Sequence, residues 1–212
     1  MVGARWLRPL VGCVLLFGGG AALRAADGPA LFATCAACHG SKAEGNAAMN
    51  APALAGQDAA YLRRQLQNFR AGLRGSHKAD ALGAQMRAAG AASLKDEAAV
   101  TRVAEYAARL PRTVVAAPTR GDLRNGNNLD HGKCGACHGG RAEGNPSLSA
   151  PRLAGLDAAY IKRQFGHFRD GVRGAHPEDL PGRQMAMMAK TLPVERDLDD
   201  VIAFIHAQGR VK

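Results

Sequence analysis

Large apolar side chains are scarce in this chain of 212 residues: aromatics make up 5%, with a single tryptophan. The hydrophobic share is 47%, but much of it is alanine, which buries little area and leaves little to interlock. Such a core is thin, and a bound apolar group would supply the missing mass. Runs of alternating strand residues are lacking, which points away from a sheet. Cysteine is rare too. Four of the five cysteines fall in two copies of one pattern, Cys-Ala-Ala-Cys-His-Gly at 35–40 and Cys-Gly-Ala-Cys-His-Gly at 134–139.

No apolar stretch reaches the roughly 20 residues of a spanning helix. The one at 10–23 follows Arg5 and Arg8 and precedes Arg24-Ala25-Ala26-Asp27. Basic, then apolar, then small residues is the order of a secretory signal, so 1–26 is expected to be cleaved. An uncleaved anchor is the alternative. Cys13 precedes most of the apolar stretch, which does not suit a lipoprotein cleavage box, and it is lost with the signal. Acid is in deficit: the formal charge is +10, falling to +7 without Arg5, Arg8 and Arg24. Basic charge invites a nucleic-acid reading, but export and the shortage of aromatic stacking platforms argue against it.

What is present is a repeat. An offset of 99 carries Cys35 to Cys134, His39 to His138, and Glu44-Gly45-Asn46 to Glu143-Gly144-Asn145. It also carries 58–77 onto 157–176 and Gln85-Met86 onto Gln184-Met185, without a gap. Beyond the methionines the offset drops to 98, pairing Leu94 with Leu192, Val103 with Val201 and Tyr106 with Phe204. The second copy therefore lacks one residue between Met185 and Leu192. The expected domains are 27–111 and 121–212, with 112–120 as a linker. Helical spacing of Tyr61, Leu62, Leu66 and Phe69, and of Leu94, Val100, Val103 and Tyr106, predicts helices there and in the second copy. A short helix is expected to lead into each Cys-x-x-Cys-His.

Cys-x-x-Cys-His is the attachment signature of c-type haem. Two thiols three positions apart reach two vinyl groups of one porphyrin as thioethers, and the next residue offers an imidazole to the iron. Paired zinc knuckles lie closer together in sequence than these motifs do. A redox dithiol belongs at a strand-to-helix junction. Neither explains a histidine after both second cysteines. Cys35, Cys38, Cys134 and Cys137 are thus the candidate haem tethers, with His39 and His138 as iron ligands.

For the sixth ligand, Met86 and Met185 each follow their histidine by 47 residues, and each follows a glutamine. Met49, Met187 and Met188 have no duplicated counterpart. His77 and His176 are duplicated and remain the alternative. Two histidines on the iron give a lower potential than histidine with methionine.

The Cys-x-x-Cys-His-Gly sites, "PALAGQ" and "PRLAGL", and "YLRRQLQNFRAGLRG" with "YIKRQFGHFRDGVRG" resemble the dihaem cytochromes c of the cytochrome c4 type. The resemblance covers essentially the whole mature chain. It implies an all-α fold of two tandem class I cytochrome c domains, each wrapped around one covalent haem c, with histidine and methionine on each iron. It implies electron transfer in the periplasm, not enzymatic turnover. By the same resemblance the carbonyls of Pro52 and Pro151 accept a hydrogen bond from His39 and His138. Tyr61, Tyr160, Arg74 and Arg173 are expected at the haem propionates or the facing domain, an ordinary helix surface being the alternative for the arginines. The implied partners are a terminal oxidase as acceptor and a quinol-oxidising complex as donor. The rival expectation is the cytochrome subunit, or the enzyme itself, of a thiosulfate, sulfide or alcohol dehydrogenase. Four propionates would bring the charge near +3, and a basic surface also suits an acidic partner or anionic membrane headgroups.

Overall fold

The computed structural model describes residues 27–112, 120–192 and 194–208. The expected signal segment and residues 113–119 of the expected linker lie outside the described residues. The first half holds α1 (Gly28–His39), α2 (Ala59–Arg70), α3 (Ala81–Ser93) and α4 (Glu97–Arg109). The second holds α5 (Leu123–Leu129), a π-turn (Asp130–Cys134), α6 (Gly135–His138), α7 (Ala158–Arg169), α8 (Leu180–Ala189) and α9 (Glu195–Gln208). Among the described residues, β pairing is confined to the isolated bridges Asn46–Ala51 and Asn145–Ala150. The architecture is all-α, as expected. Among the described residues no helix is long and apolar enough to cross a membrane.

Aspartate starts these helices. Asp27, Asp58, Asp80, Asp96, Asp122, Asp157 and Asp179 each accept a backbone N–H of the first turn, satisfying donors that a helix end leaves unpaired. The apolar stripe of α4 buries Val100, Val103, Ala104 and Ala107 against α1 and α2. In the second half Leu198, Val201, Ile202 and Ile205 of α9 face Ile161, Phe165 and Phe168 of α7.

The first helix of each half crosses the last at a glycine. A Cβ on Gly28 would lie 2.7 Å from Tyr106 Cβ, and one on Gly126 would collide with the Asp200 carbonyl. The missing residue of the second copy shows as a shorter methionine-bearing helix: α8 has 10 residues and α3 has 13. Leu94 and Leu192 stay buried beyond their ends.

Candidate functional site

Each Cys-x-x-Cys-His ends a helix, and the duplicated Glu-Gly-Asn triplet builds the loop that follows. Gly40 and Gly139 leave the helix at φ of 81° and 82°. The Glu44 and Glu143 carboxylates accept the N–H of Lys42 and Arg141, both at 2.8 Å. Gly45 and Gly144 take φ of 87°, where a Cβ would come within 2.6 Å of the backbone nitrogens of Ala53 and Arg152. Asn46 and Asn145 then cap the 3-10 turns Ala47–Met49 and Pro146–Leu148.

This loop returns the chain over the histidine ring. Nδ1 of His39 lies 2.8 Å from the Pro52 carbonyl oxygen, and Nδ1 of His138 lies 2.8 Å from that of Pro151. Nδ1–H donates in both cases, which leaves Nε2 as the ring atom available to the interior. Burial holds both imidazoles below their ordinary pKa, against the opposing pull of these carbonyls. A neutral ring with its orientation fixed by a backbone acceptor is the form that binds a metal.

Two cavities, of about 220 Å³ and 180 Å³, collect the expected residues. Cys35, Cys38, His39 and Met86 line the first, and Cys134, Cys137, His138 and Met185 line the second. Most of the remaining wall area is apolar, with Leu62, Phe69 and Val103 in one and Ile161, Phe165 and Val201 in the other. The four cysteines are free thiols, Cys35 and Cys134 half-buried and Cys38 and Cys137 exposed. Burial pushes the Cys35 thiol up and drives that of Cys134 to about 12, with Asp130 adding to the latter. These thiols are not poised as thiolate nucleophiles. Among the described residues, no three His, Cys, Asp or Glu side chains come together as a metal-ion cluster. The residues present therefore fit a flat apolar group tethered by paired sulfurs.

Of the rival ligand candidates, His77, His176 and Met187 lie outside both cavities. His77 and His176 are exposed, and their Nδ1 atoms accept the N–H of Ala79 and Glu178 within local turns. Met187 is 64% exposed and outside the second cavity's lining, whereas Met188 reaches its rim. Met49 lines the first cavity, and Leu148 takes the same place in the second.

Each cavity also takes part of its wall from the other half. Tyr61, Arg64 and Gln65 of α2 line the second cavity, and Tyr160, Arg163 and Gln164 of α7 line the first. The contacts follow the repeat. Arg64 donates to the Ser149 carbonyl at 2.7 Å, and Arg163 donates to the Asn50 carbonyl at 2.9 Å. Arg74 donates to Gln65 at 2.9 Å and to Gln164 at 3.0 Å. Arg173 donates to Gln164 at 2.7 Å and to Gln65 at 2.8 Å.

Both arginines are buried, and their guanidinium groups stack on Phe69 and Phe168. They are interface residues, not an ordinary helix surface. Burial alone would raise the Tyr160 phenol, but the charges of Arg74 and Arg173 outweigh it and pull the group down. Sequence reasoning did not single out Arg64, Arg163, Gln65 and Gln164. Their signal was identity across the repeat, where the neighbouring Leu62 and Arg63 become Ile161 and Lys162.

The cytochrome c family profile matches twice, at residues 25–110 and 123–208. The chain belongs to the cytochrome c family. It is 37% identical over 164 residues to the thiosulfate dehydrogenase electron acceptor of Stutzerimonas stutzeri (strain A1501), covering 73% of this chain and 71% of the relative. It is 32% identical over 170 residues to cytochrome c4 of Azotobacter vinelandii, covering 76% of this chain and 80% of the relative. The crystal structure of reduced recombinant cytochrome c4 from Pseudomonas stutzeri superposes with a TM-score of 0.64 at 27% identity, covering 84% of this chain and 95% of that one. The protein is a dihaem electron-transfer protein of the cytochrome c4 type that carries two covalent haem c groups and works with redox partners.

Proposed function

We propose that this is an exported, periplasmic carrier of single electrons between respiratory donors and a terminal acceptor such as a cytochrome c oxidase. Cys35 and Cys38 tether the first haem, with His39 and Met86 on its iron. Cys134 and Cys137 tether the second, with His138 and Met185. The observation that carries this reading is that each set of four residues lines one cavity, with the histidine already held by a proline carbonyl. When bound, each haem supplies an iron that cycles between the ferrous and ferric states.

The chain's own residues do the rest. The Pro52 and Pro151 carbonyls fix the rings and raise their basicity. A thioether from Met86 or Met185 favours a higher potential than a second imidazole. The apolar walls keep water away, which lowers the reorganisation that accompanies each change of charge. The Nε atoms of Arg74 and Arg173 lack a partner, and both residues line the cavities, which suits the carboxylate edge of a porphyrin. With His39 and Met86 on one iron and His138 and Met185 on the other, neither would have a coordination position left for a substrate. The relative that serves as a thiosulfate dehydrogenase electron acceptor supports a periplasmic dehydrogenase as an alternative donor to a quinol-oxidising complex.

A spectroscopic redox titration of the purified holoprotein tests this. It should count two haems per chain, show the weak near-infrared sulfur-to-iron band when oxidised, and show no rapid carbon monoxide binding when reduced. Absence of that band would move the sixth ligand from methionine to histidine, and fast turnover of peroxide or thiosulfate would overturn the carrier reading. Cell fractionation with N-terminal sequencing of the mature chain tests export.

A further inference from the structure

The two halves differ just ahead of the second haem-attachment motif. Leu31 and Leu129 both pack on their half's core, but Leu31 precedes Cys35 by four residues and Leu129 precedes Cys134 by five. The glycines at the helix crossings, Gly28 and Gly126, share the offset of 98 with Tyr106 and Phe204, while the cysteines are offset by 99. The second half thus carries one extra residue, absorbed by the π-turn Asp130–Cys134. Single-turn π insertions of this kind are frequent at functional sites.

In the first half the buried place is filled by Phe32, whose ring packs on Tyr106 at 5.4 Å. In the second half His131 supplies the ring, 5.8 Å from Phe204, with its Nδ1 on the Asn127 carbonyl. Asp130 is turned inward. It is 0% exposed, and neither carboxylate oxygen has a hydrogen-bond partner. It lies close enough to Cys134 to raise that thiol's pKa electrostatically. A buried carboxylate with no partner is costly as an anion, and natural sequences seldom keep one without a use.

We propose that Asp130 is a redox-linked proton-binding site that serves the haem of the second half alone. Asp130 takes up one proton from water as that site receives one electron from its redox partner, and returns the proton to water when the electron leaves. Charge balances at each step. As an anion, Asp130 favours the more positive oxidised site; once protonated, it no longer does. Burial pushes its carboxyl up to about 6, with His131 opposing and Glu143 reinforcing, which places the exchange within a physiological range. The other titratable or charged groups on the surrounding elements are Lys133 and Cys134 on its own turn, Arg124 on α5, Cys137 and His138 on α6, and Glu195, Arg196, Asp197, Asp199, Asp200 and His206 on α9. Leu31 and Phe32 give the first half no equivalent.

The inference rests on haem being attached at Cys134, which the visible spectrum of the holoprotein checks separately. The test is a redox titration between pH 5 and pH 8 of wild type, Asp130→Asn and His131→Gln. One potential should fall as pH rises through about 6, and the other should stay flat. The limit is tenfold in the reduction equilibrium per pH unit, which is 59 mV for one electron. The slope should vanish in Asp130→Asn and persist in His131→Gln. Redox-difference infrared spectra of wild type should show a protonated carboxyl appearing on reduction, a readout that does not depend on any variant folding. Two flat potentials, a slope that survives Asp130→Asn, or no carboxyl signal would each overturn the proposal.

Discussion

Gln57 holds both backbone polar groups of Arg152. Its side-chain amide donates to the Arg152 carbonyl at 2.9 Å, and its side-chain carbonyl accepts the Arg152 N–H at 3.0 Å. Leu156 stands at the corresponding place in the second half, so this clasp is made on one side of the interface and not repeated on the other. Gln57→Leu would remove both bonds and leave the Arg152 backbone unpaired. We expect a loss of about 1–3 kcal/mol in the docking of the halves. It would be read as faster hydrogen exchange at the Arg152 amide and a lower denaturation midpoint.

Gly126→Ala tests the helix crossing. The added methyl collides with the Asp200 carbonyl, which is backbone and cannot swing aside. Overpacking of this kind costs about 1–3 kcal/mol, and here the cost falls on the contact between α5 and α9. Thermal unfolding should show a destabilised second half, with the first half's haem environment unchanged in its visible spectrum.

Met86→Leu and Met185→Leu separate the two iron sites. Leucine keeps the apolar volume and removes the sulfur. Each variant should lose about half of the near-infrared sulfur-to-iron intensity, since one of two thioethers is gone, and the affected ferrous site should then bind carbon monoxide. The double variant should lose the band entirely. A full band in Met185→Leu would move the assignment to Met188, which also reaches that cavity.

His167 makes docking sensitive to acid. Its Nδ1 lies 3.8 Å from Oδ1 of Asp80 in the other half. Burial holds its pKa down; Asp80 opposes this, and Arg163, Arg173 and Arg74 reinforce it. A histidine whose folded pKa is lowered gives stability that is complete above the ordinary value of about 6.5 and is lost as pH falls from there through the lower folded value. His167→Asn copies Asn68, the residue at this place in the first half. The difference in denaturation midpoint between variant and wild type should narrow as pH drops from 8 to 5. Asp130 works in the opposite sense, its raised carboxyl favouring the folded state at low pH, but it is common to both proteins and cancels in that difference.

Most of the site was legible because it is local in sequence and present twice. Cys-x-x-Cys-His, the Glu-Gly-Asn loop and the Gln-Met pair each recur at one offset, and chemistry assigns their roles. The helices α2, α4 and α9 showed their apolar stripes. The methionine-bearing helices α3 and α8 did not, because alanine and glycine dominate them and leave little stripe to read. The interface was legible only in part, as the expectation that Tyr61, Tyr160, Arg74 and Arg173 meet the propionates or the facing domain, and for a different reason. Gln65 and Gln164 are polar residues on helices, Arg74 and Arg173 lie in the loops that follow those helices, and only their arrangement in space shows that the four satisfy one another out of water. The extra residue before Cys134 also escaped, because the gap-free repeat begins at the cysteines and the shift of one lies just upstream.

The borrowed walls have a final consequence. Tyr61 and Gln65 shield the second cavity, and Tyr160 and Gln164 shield the first. Any hinge motion that separated the halves would wet both sites together and lower both potentials at once. A partner that pries this seam open, or clamps it shut, would therefore retune the pair as a unit while touching neither iron.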